Sequence, residues 1–304
     1  MPDIRRRVRD KVYHVDTPDK LFRDLTVAYH IIEKGLTMPE PRPGFGKGVV
    51  MNLAGLALKH HRLGYSREDV SFRQAVSVLK EYREFHRKIG FTLDEEVEQK
   101  LQLVEERFPG MEGEHQLRLS REDYFADAGK AFDRFCRSRY SVRNYSPETI
   151  PMDVLHQCIA LAQRSPSFCN RQPSRVHIVK SPEKKEAILA LQNGNRGFGH
   201  LAETLLVVTS NVSMANDLHE RHENHFNSGM FSMTLLNALH FYRIGACSLN
   251  WSASKERDAG LRKLLDVPDN EEIMLVISCG YLPAELSIAS SPRKALGEII
   301  REHL

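Results

Sequence analysis

Nine residues, Arg137 to Tyr145 (RSRYSVRNY), place Arg137, Arg139 and Arg143 among Ser138, Tyr140 and Ser141. An arginine fork keeps its proton and matches the oxygens of a phosphate, and hydroxyls add short neutral bonds to the same ligand. The run could therefore hold an anion, although a solvated basic turn has the same composition. A second stretch, Ser165 to Pro173 (SPSFCNRQP), joins turn formers to the amide side chains of Asn170 and Gln172. Cys169 is the thiol there that could meet a substrate, and a packing role is the alternative. No Ser-His-Asp or Cys-His arrangement is visible, so no side chain is expected as nucleophile or general acid and base.

These stretches need elements to position them. Tyr124, Phe125, Ala128, Ala131, Phe132 and Phe135 fall at helical spacing and predict a helix that runs into the arginines; Ser146-Pro147-Glu148 reads as the opening of the next one. The second stretch lies between an apolar helix, 154–161, and a strand, 176–179. Further strands are expected at 205–209, 247–251 and 273–278, with helices at 183–191, 230–242, 256–264 and from Leu296. This order predicts an α+β layer instead of the regular alternation of a doubly wound sheet. Residues 230–242 leave little fully polar surface, which implies burial on more than one side. Gly194 to Gly199 follows a helix and opens none, so it fails the dinucleotide fingerprint and reads as a mobile loop near the substrate.

Helices also fill the first hundred residues, at 21–36, 49–62, 66–90 and 93–108. His30, Glu33 and Lys34 sit about a turn apart on the first of them, as a surface trio or as partners for a shared ligand. Pro39 to Gly48 holds three prolines and three glycines and fixes a loop that could line a pocket. His60, His61 and His86 lack partners at metal spacing and are expected on the surface. Arg5 to Lys11 is a basic start, solvated or facing an anionic surface. Pro109 to Glu114 marks the domain boundary, which gives an all-helical domain at 1–113 and a second domain at 120–304.

The whole chain has 304 residues and a formal charge of +3, enough for two domains and too balanced to suggest nucleic acid. No window reaches the roughly 20 apolar residues that cross a bilayer, and the start is no signal peptide. Five cysteines without a C-x-x-C pair predict a reduced, cytoplasmic protein without a metal site.

Together the two stretches resemble signatures of the FMN-dependent nitroreductase family. Arg139, Ser141 and Arg143 match an Arg-x-Ser-x-Arg run, and Ser165, Pro166, Ser167, Asn170, Gln172 and Pro173 match Ser-Pro-Ser-x-x-Asn-x-Gln-Pro. Arg243 to Cys247 partly matches Gly-Leu-Gly-x-Cys, and Cys279 to Pro283 with Arg293 and Lys294 matches a strand, Gly, an aromatic, Pro and a late Arg-Lys. The helical start, His30 to Gly46, resembles extensions of nitroreductase-like proteins of polysaccharide gene clusters.

The resemblance implies a nitroreductase-like mixed sheet flanked by helices, a homodimer built on the 230–242 helix, and FMN as cofactor with NAD(P)H as reductant. It implies Arg139 and Arg293, beside Lys294, at the phosphate, with Ser141 and Tyr140 next to them. Arg143 would face the N1–O2 edge of the ring, Ser167 and Asn170, beside Pro166 and Gln172, its polar edge, and Gly245 and Ala246 would offer amides near N5. Tyr140 replaces a second basic residue, Ser174 an aromatic, and Arg243 the first glycine of the third signature, which puts the local turn in question. The chain stops soon after Lys294, so the long C-terminal arm of some relatives is expected to be missing. The implied activity is ping-pong hydride transfer to a small nitro, quinone or enone acceptor. Another flavin reaction (dehalogenation, oxidation or flavin cleavage) and a non-catalytic binding protein are the alternatives.

Overall fold

The computed structural model describes residues 18–126, 130–214, 220 and 222–304; Arg5 to Lys11 and Ala128 lie outside them. The chain divides into two compact units, Met1–Gln116 with Ala289–Leu304, and Leu117–Ile288.

Among its described residues the first unit packs four long helices, α1 (Pro18–Leu36), α2 (Lys47–Arg62), α3 (Val70–Lys88) and α4 (Glu95–Arg107), and its C-terminal stretch adds a short one, Leu296–Ile299. Their apolar stripes meet in one core that includes Leu25, Ile32, Leu53, Phe72, Leu79 and Leu101. Helix α3 starts four residues later than periodicity suggests, because the Asp69 side chain accepts from Phe72 N at 2.8 Å and caps it there. The proline-rich loop is folded onto the core: the Tyr82 hydroxyl donates to Phe45 O at 2.7 Å, and Gly44 N donates to His86 Nε2 at 2.9 Å.

The surface assignment of the histidines is wrong for two of them. His60 is buried and stacks on Phe72 at 4.2 Å, and His86 is fully buried. Because His86 Nε2 accepts, its Nδ1–H is the donor to Tyr82 O at 2.7 Å, so a neutral tautomer satisfies both contacts. Glu33 is buried as well, 3.6 Å from His30 Nδ1, with Oε1 accepting from Gln74 Nε2 at 2.7 Å. Gln74 Nε2 also donates to Glu114 O at 2.9 Å, and Ser290 Oγ, which donates to the same carbonyl at 3.4 Å, lies 3.3 Å from that nitrogen, which fastens the C-terminal stretch into this unit.

The second unit is α+β. A ribbon pairs β1 (Leu117–Ser120) with β6 (Glu285–Ile288), and a four-stranded sheet runs in the order β2 (Ser174–Val179), β3 (Thr204–Asn211), β5 (Glu271–Gly280), β4 (Gly245–Leu249). All its ladders are antiparallel; the mixed character comes from one parallel bridge, Ser141 to Ala246. The helices are α5 (Arg121–Phe125), α6 (Phe132–Ser138), α7 (Met152–Ala162), α8 (Pro182–Leu191), α9 (Glu223–Phe241) and α10 (Lys255–Leu265). Residues of α7, α9, β3, β4 and β5 share the core around Leu155, Leu206, Leu235 and Ile277.

Four features differ from the sequence reading. The expected 124–135 helix is two short ones. The helix opening at Ser146 begins only at Met152, because Pro151 holds an extended cap and biases Ile150 away from helix. Helix α9 starts at Glu223, seven residues before its apolar stripe, through a polar first half whose Asn224, Asn227 and Ser228 are buried. The 194–199 loop is fastened: Asn195 Nδ2 donates to Leu189 O and Gln192 O at 2.8 Å, and Phe198 is buried.

Candidate flavin site

Arg139 leaves α6 in extended backbone, and the chain then runs along β4. Val142 N donates to Ala246 O at 3.0 Å next to the Ser141 bridge. The buried Tyr145 ring lies against Gly280, where a Cβ would approach Tyr145 Cβ to 2.9 Å. Its hydroxyl stands 2.9 Å from Val142 O and 3.0 Å from Ser278 O, and burial pushes its pKa well above the usual value. Ser146 N donates to Tyr281 O at 2.8 Å. The fold thus brings the first stretch, the third and the Cys279 to Pro283 part of the fourth together around one edge of the sheet.

On this seat Arg137 is exposed, Arg139, Tyr140 and Ser141 are half-buried, and Arg143 is 8% exposed. No carboxylate among the described residues pairs with Arg137 or Arg139. The Arg143 guanidinium carbon lies 5.9 Å from the Phe198 ring centroid, a cation–π distance.

Gly245 and Ala246 are buried in β4, opposite Gly280 and Cys279. A Cβ on Gly245 would overlap Leu282 Cδ2, so the buried Leu282 side chain would have to shift to admit one. Arg243 keeps the turn that its glycine-like position demands. It has φ 59°, Arg243 N donates to His240 O and Ile244 N to Leu239 O, the two bonds of a Schellman close.

The second stretch sits elsewhere on α9. Phe168 N donates to Asn227 Oδ1 at 3.1 Å, and Ser165 Oγ donates to Thr234 Oγ1 at 2.6 Å. Within the loop Gln172 N donates to Ser167 Oγ at 2.9 Å and Gln172 Nε2 to Asn170 Oδ1 at 3.1 Å. Ser165, Pro166, Ser167, Gln172, Asn227 and Phe231 line a cleft of about 420 Å³, open solvent included. Ser174, in place of an aromatic wall, is the first residue of β2, its Oγ 3.4 Å from Ser228 Oγ.

The described residues include six non-glycine positions with positive φ: Cys169, Asn170, Gln172, Arg243, Ser291 and Asp266. Three of them lie in this loop and one in the third stretch, and Ser291 is two residues before Arg293. Strained backbone of this kind concentrates at ligand sites. Arg293 and Lys294 are exposed and belong to the helical unit.

The two stretches are fastened at different places along α9. One is attached at Asn227 to Thr234 of α9 and the other at His240, about 9 Å further along the axis from Thr234. Along the same helix an apolar stripe faces outward, with Phe226, Met233 and Phe241 at 67, 45 and 54% exposure. Sequence reasoning missed Tyr124 and His240, which hold the first stretch in place. An apolar helix face carries no mark of which of its polar members reach a loop. No group of three or more His, Cys, Asp or Glu among the described residues could hold a metal. No described helix is long and apolar enough to cross a membrane.

Residues 136–195 and 189–281 match the model of the Nitroreductase family. An iodotyrosine deiodinase of Nematostella vectensis is 22% identical over 196 residues, 56% of this chain and 74% of its own. A nitroreductase family protein of Streptococcus pneumoniae TIGR4 superposes with a TM-score of 0.49 at 17% identity, covering 57% of this chain and 100% of its own. An FMN-dependent nitroreductase of Clostridium difficile R20291 gives a TM-score of 0.41 at 20% identity, over 47% and 83%. The arginine run seated on β4, the amide loop on α9 and the family match over most of the sheet lead to one assignment: the C-terminal unit of this chain belongs to the nitroreductase family.

Proposed function

We propose that the C-terminal unit binds FMN through the Arg139 to Arg143 segment and works as an oxidoreductase. FMN held there would supply a ring nitrogen able to take hydride from NADH or NADPH and pass the electrons to a small nitro, quinone or enone acceptor. The observation that carries this reading is Arg139, half-buried on a segment tied to β4, beside the Ser141 hydroxyl and without a carboxylate partner among the described residues. A cationic donor already ordered by the fold loses little freedom when it meets a phosphate. The donor set fits the group.

Arg143, buried and permanently charged, is the candidate to stabilise negative charge on the reduced ring, since a fixed charge acts most strongly where water is excluded. Gly245 and Ala246, on the strand that seats the arginine segment, would offer backbone amides near the ring nitrogen of the flavin. Pro166, Ser167, Asn170 and Gln172 would reach a flavin from a second copy of the chain packed over the outward stripe of α9. A homodimer follows from that arrangement, because burying three large exposed side chains per copy is favourable.

The test is an absorbance spectrum of the purified chain with FMN, followed anaerobically by NADPH and NADH. A bound flavin that bleaches with either nucleotide supports the reading, and a chain that takes up no FMN overturns it. The deiodinase relative favours a second reading, reductive removal of halogen from an aromatic substrate. Halide release from a halogenated phenol by the reduced enzyme would select it.

A further inference from the structure

The arginine segment is held from two sides at the exit of α6. His240, on α9, has Nε2 2.8 Å from Ser138 Oγ, and Ser138 Oγ donates to Phe135 O at 3.0 Å. A hydroxyl has one proton, so with that proton on Phe135 the imidazole must be the donor, Nε2–H into Ser138. Nδ1 is then a bare lone pair, consistent with its having no hydrogen-bond partner. The ring sits in a box of aromatic faces, with centroids at 5.2 Å from Tyr124, 5.5 Å from Phe125 and 5.2 Å from Phe135. A second N–H would point into that box with nothing to accept it, so the geometry requires neutral imidazole. Burial first, and the Arg139 charge second, hold its pKa near 4.

Tyr124 works on the other side of the same residue. Its hydroxyl donates to Tyr140 O at 3.0 Å and accepts from Tyr140 N at 3.4 Å. Arg139 is thus the one residue between two neighbours, Ser138 and Tyr140, that are each fastened to a buried side chain. A half-buried arginine has several staggered rotamers, and the backbone frame on either side limits where its fork can point.

We propose that His240 and Tyr124 are positioning residues that aim Arg139 at the phosphate of the cofactor. The proposal rests on the FMN reading above. It makes a distinction that packing alone does not. If the pair acts through Arg139, losing it must weaken a flavin that carries a phosphate and spare one that does not.

The experiment uses the full chain and compares binding of FMN with binding of riboflavin, by quenching of flavin fluorescence. His240→Phe keeps the aromatic box and removes the donor to Ser138. The expected result is a loss of FMN affinity of roughly threefold to tenfold, the worth of one hydrogen bond, with riboflavin affinity unchanged. His240→Gln, whose amide can donate from a similar position, should restore most of it. Ser138→Ala removes the same bond from the half-buried end of α6 and should reproduce the FMN-selective loss, which keeps the test open if the Phe variant does not fold. Equal losses for FMN and riboflavin, or no loss in either variant, would overturn the proposal while leaving the flavin reading intact. A wild-type chain that binds neither flavin would overturn both.

Discussion

The two stretches of the C-terminal unit proposed to face a ligand are built on opposite principles. From Arg139 to Tyr145 the chain is seated: Val142 is fully buried, Tyr145 anchors to Ser278, and the backbone joins β4. From Ser167 to Gln172 it is mostly exposed and held by side chains, its own and those of Asn227 and Glu220, with three residues in left-handed backbone. The first is preorganised within one copy of the chain, as a group needs to be when it must meet a small anion accurately. The second stores strain and opens to solvent, as expected of a surface completed by something outside the protomer.

Acid separates the seated region most strongly. Folding holds the His240 pKa near 4 against an unfolded value of about 6.5, through burial first and the Arg139 charge second. The unfolded chain therefore binds more protons between those limits, and stability must fall as pH drops from about 6.5 to 4. The expected loss is up to about 3 kcal/mol from this group. Buried His60 and His86, whose pKa values burial also lowers, add to it in the same direction in the helical unit. Urea unfolding of wild type and His240→Phe at several pH values checks this. A variant as acid-sensitive as wild type would remove His240 from the account.

The seat itself is expected to break with one carbon. Gly245→Ala forces a Cβ onto Leu282 Cδ2 between β4 and its neighbours, and overpacking of this kind costs about 1–3 kcal/mol. A thermal melt would register it. Arg139→Ala is expected to leave the fold alone and, as the proposed phosphate donor is lost, to cost about 1.5–3 kcal/mol in FMN binding. The matching change in the other stretch, Asn170→Ala, should cost FMN affinity only under conditions where the chain is dimeric, which dilution before titration would reveal.

That contrast also sets what could be read from sequence. The arginine run and the amide loop were legible because their residue types are unusual and closely spaced. The long strands were legible because β3 and β5 are apolar runs bounded by polar residues. Strands β1 and β6, four residues each, have no periodicity to detect, and their pairing joins positions far apart in the chain. The polar first half of α9 was missed because its buried Asn227 serves the amide loop and not the core stripe. His60 and His86 looked like surface residues because burial of an imidazole depends on partners, Phe72 for one and Gly44 with Tyr82 for the other, that no local pattern announces.

The smallest expected effect concerns the turn that delivers β4 to the arginine segment. Arg243 is exposed, makes the C′ residue of a Schellman close and holds φ at 59°, a conformation in which a side chain is strained and glycine is not. The two closing bonds run from backbone nitrogens, so they do not depend on what residue 243 carries. Replacing it by glycine should relieve the strain, and the extra freedom given to the unfolded chain offsets part of the gain. Arg243→Gly is therefore expected to stabilise the unit by about 0.5–1 kcal/mol, read as a rise in the urea midpoint at unchanged slope. A destabilised variant would mean that the guanidinium itself holds the turn, and that the departure from the family's glycine has been taken up by the structure around it.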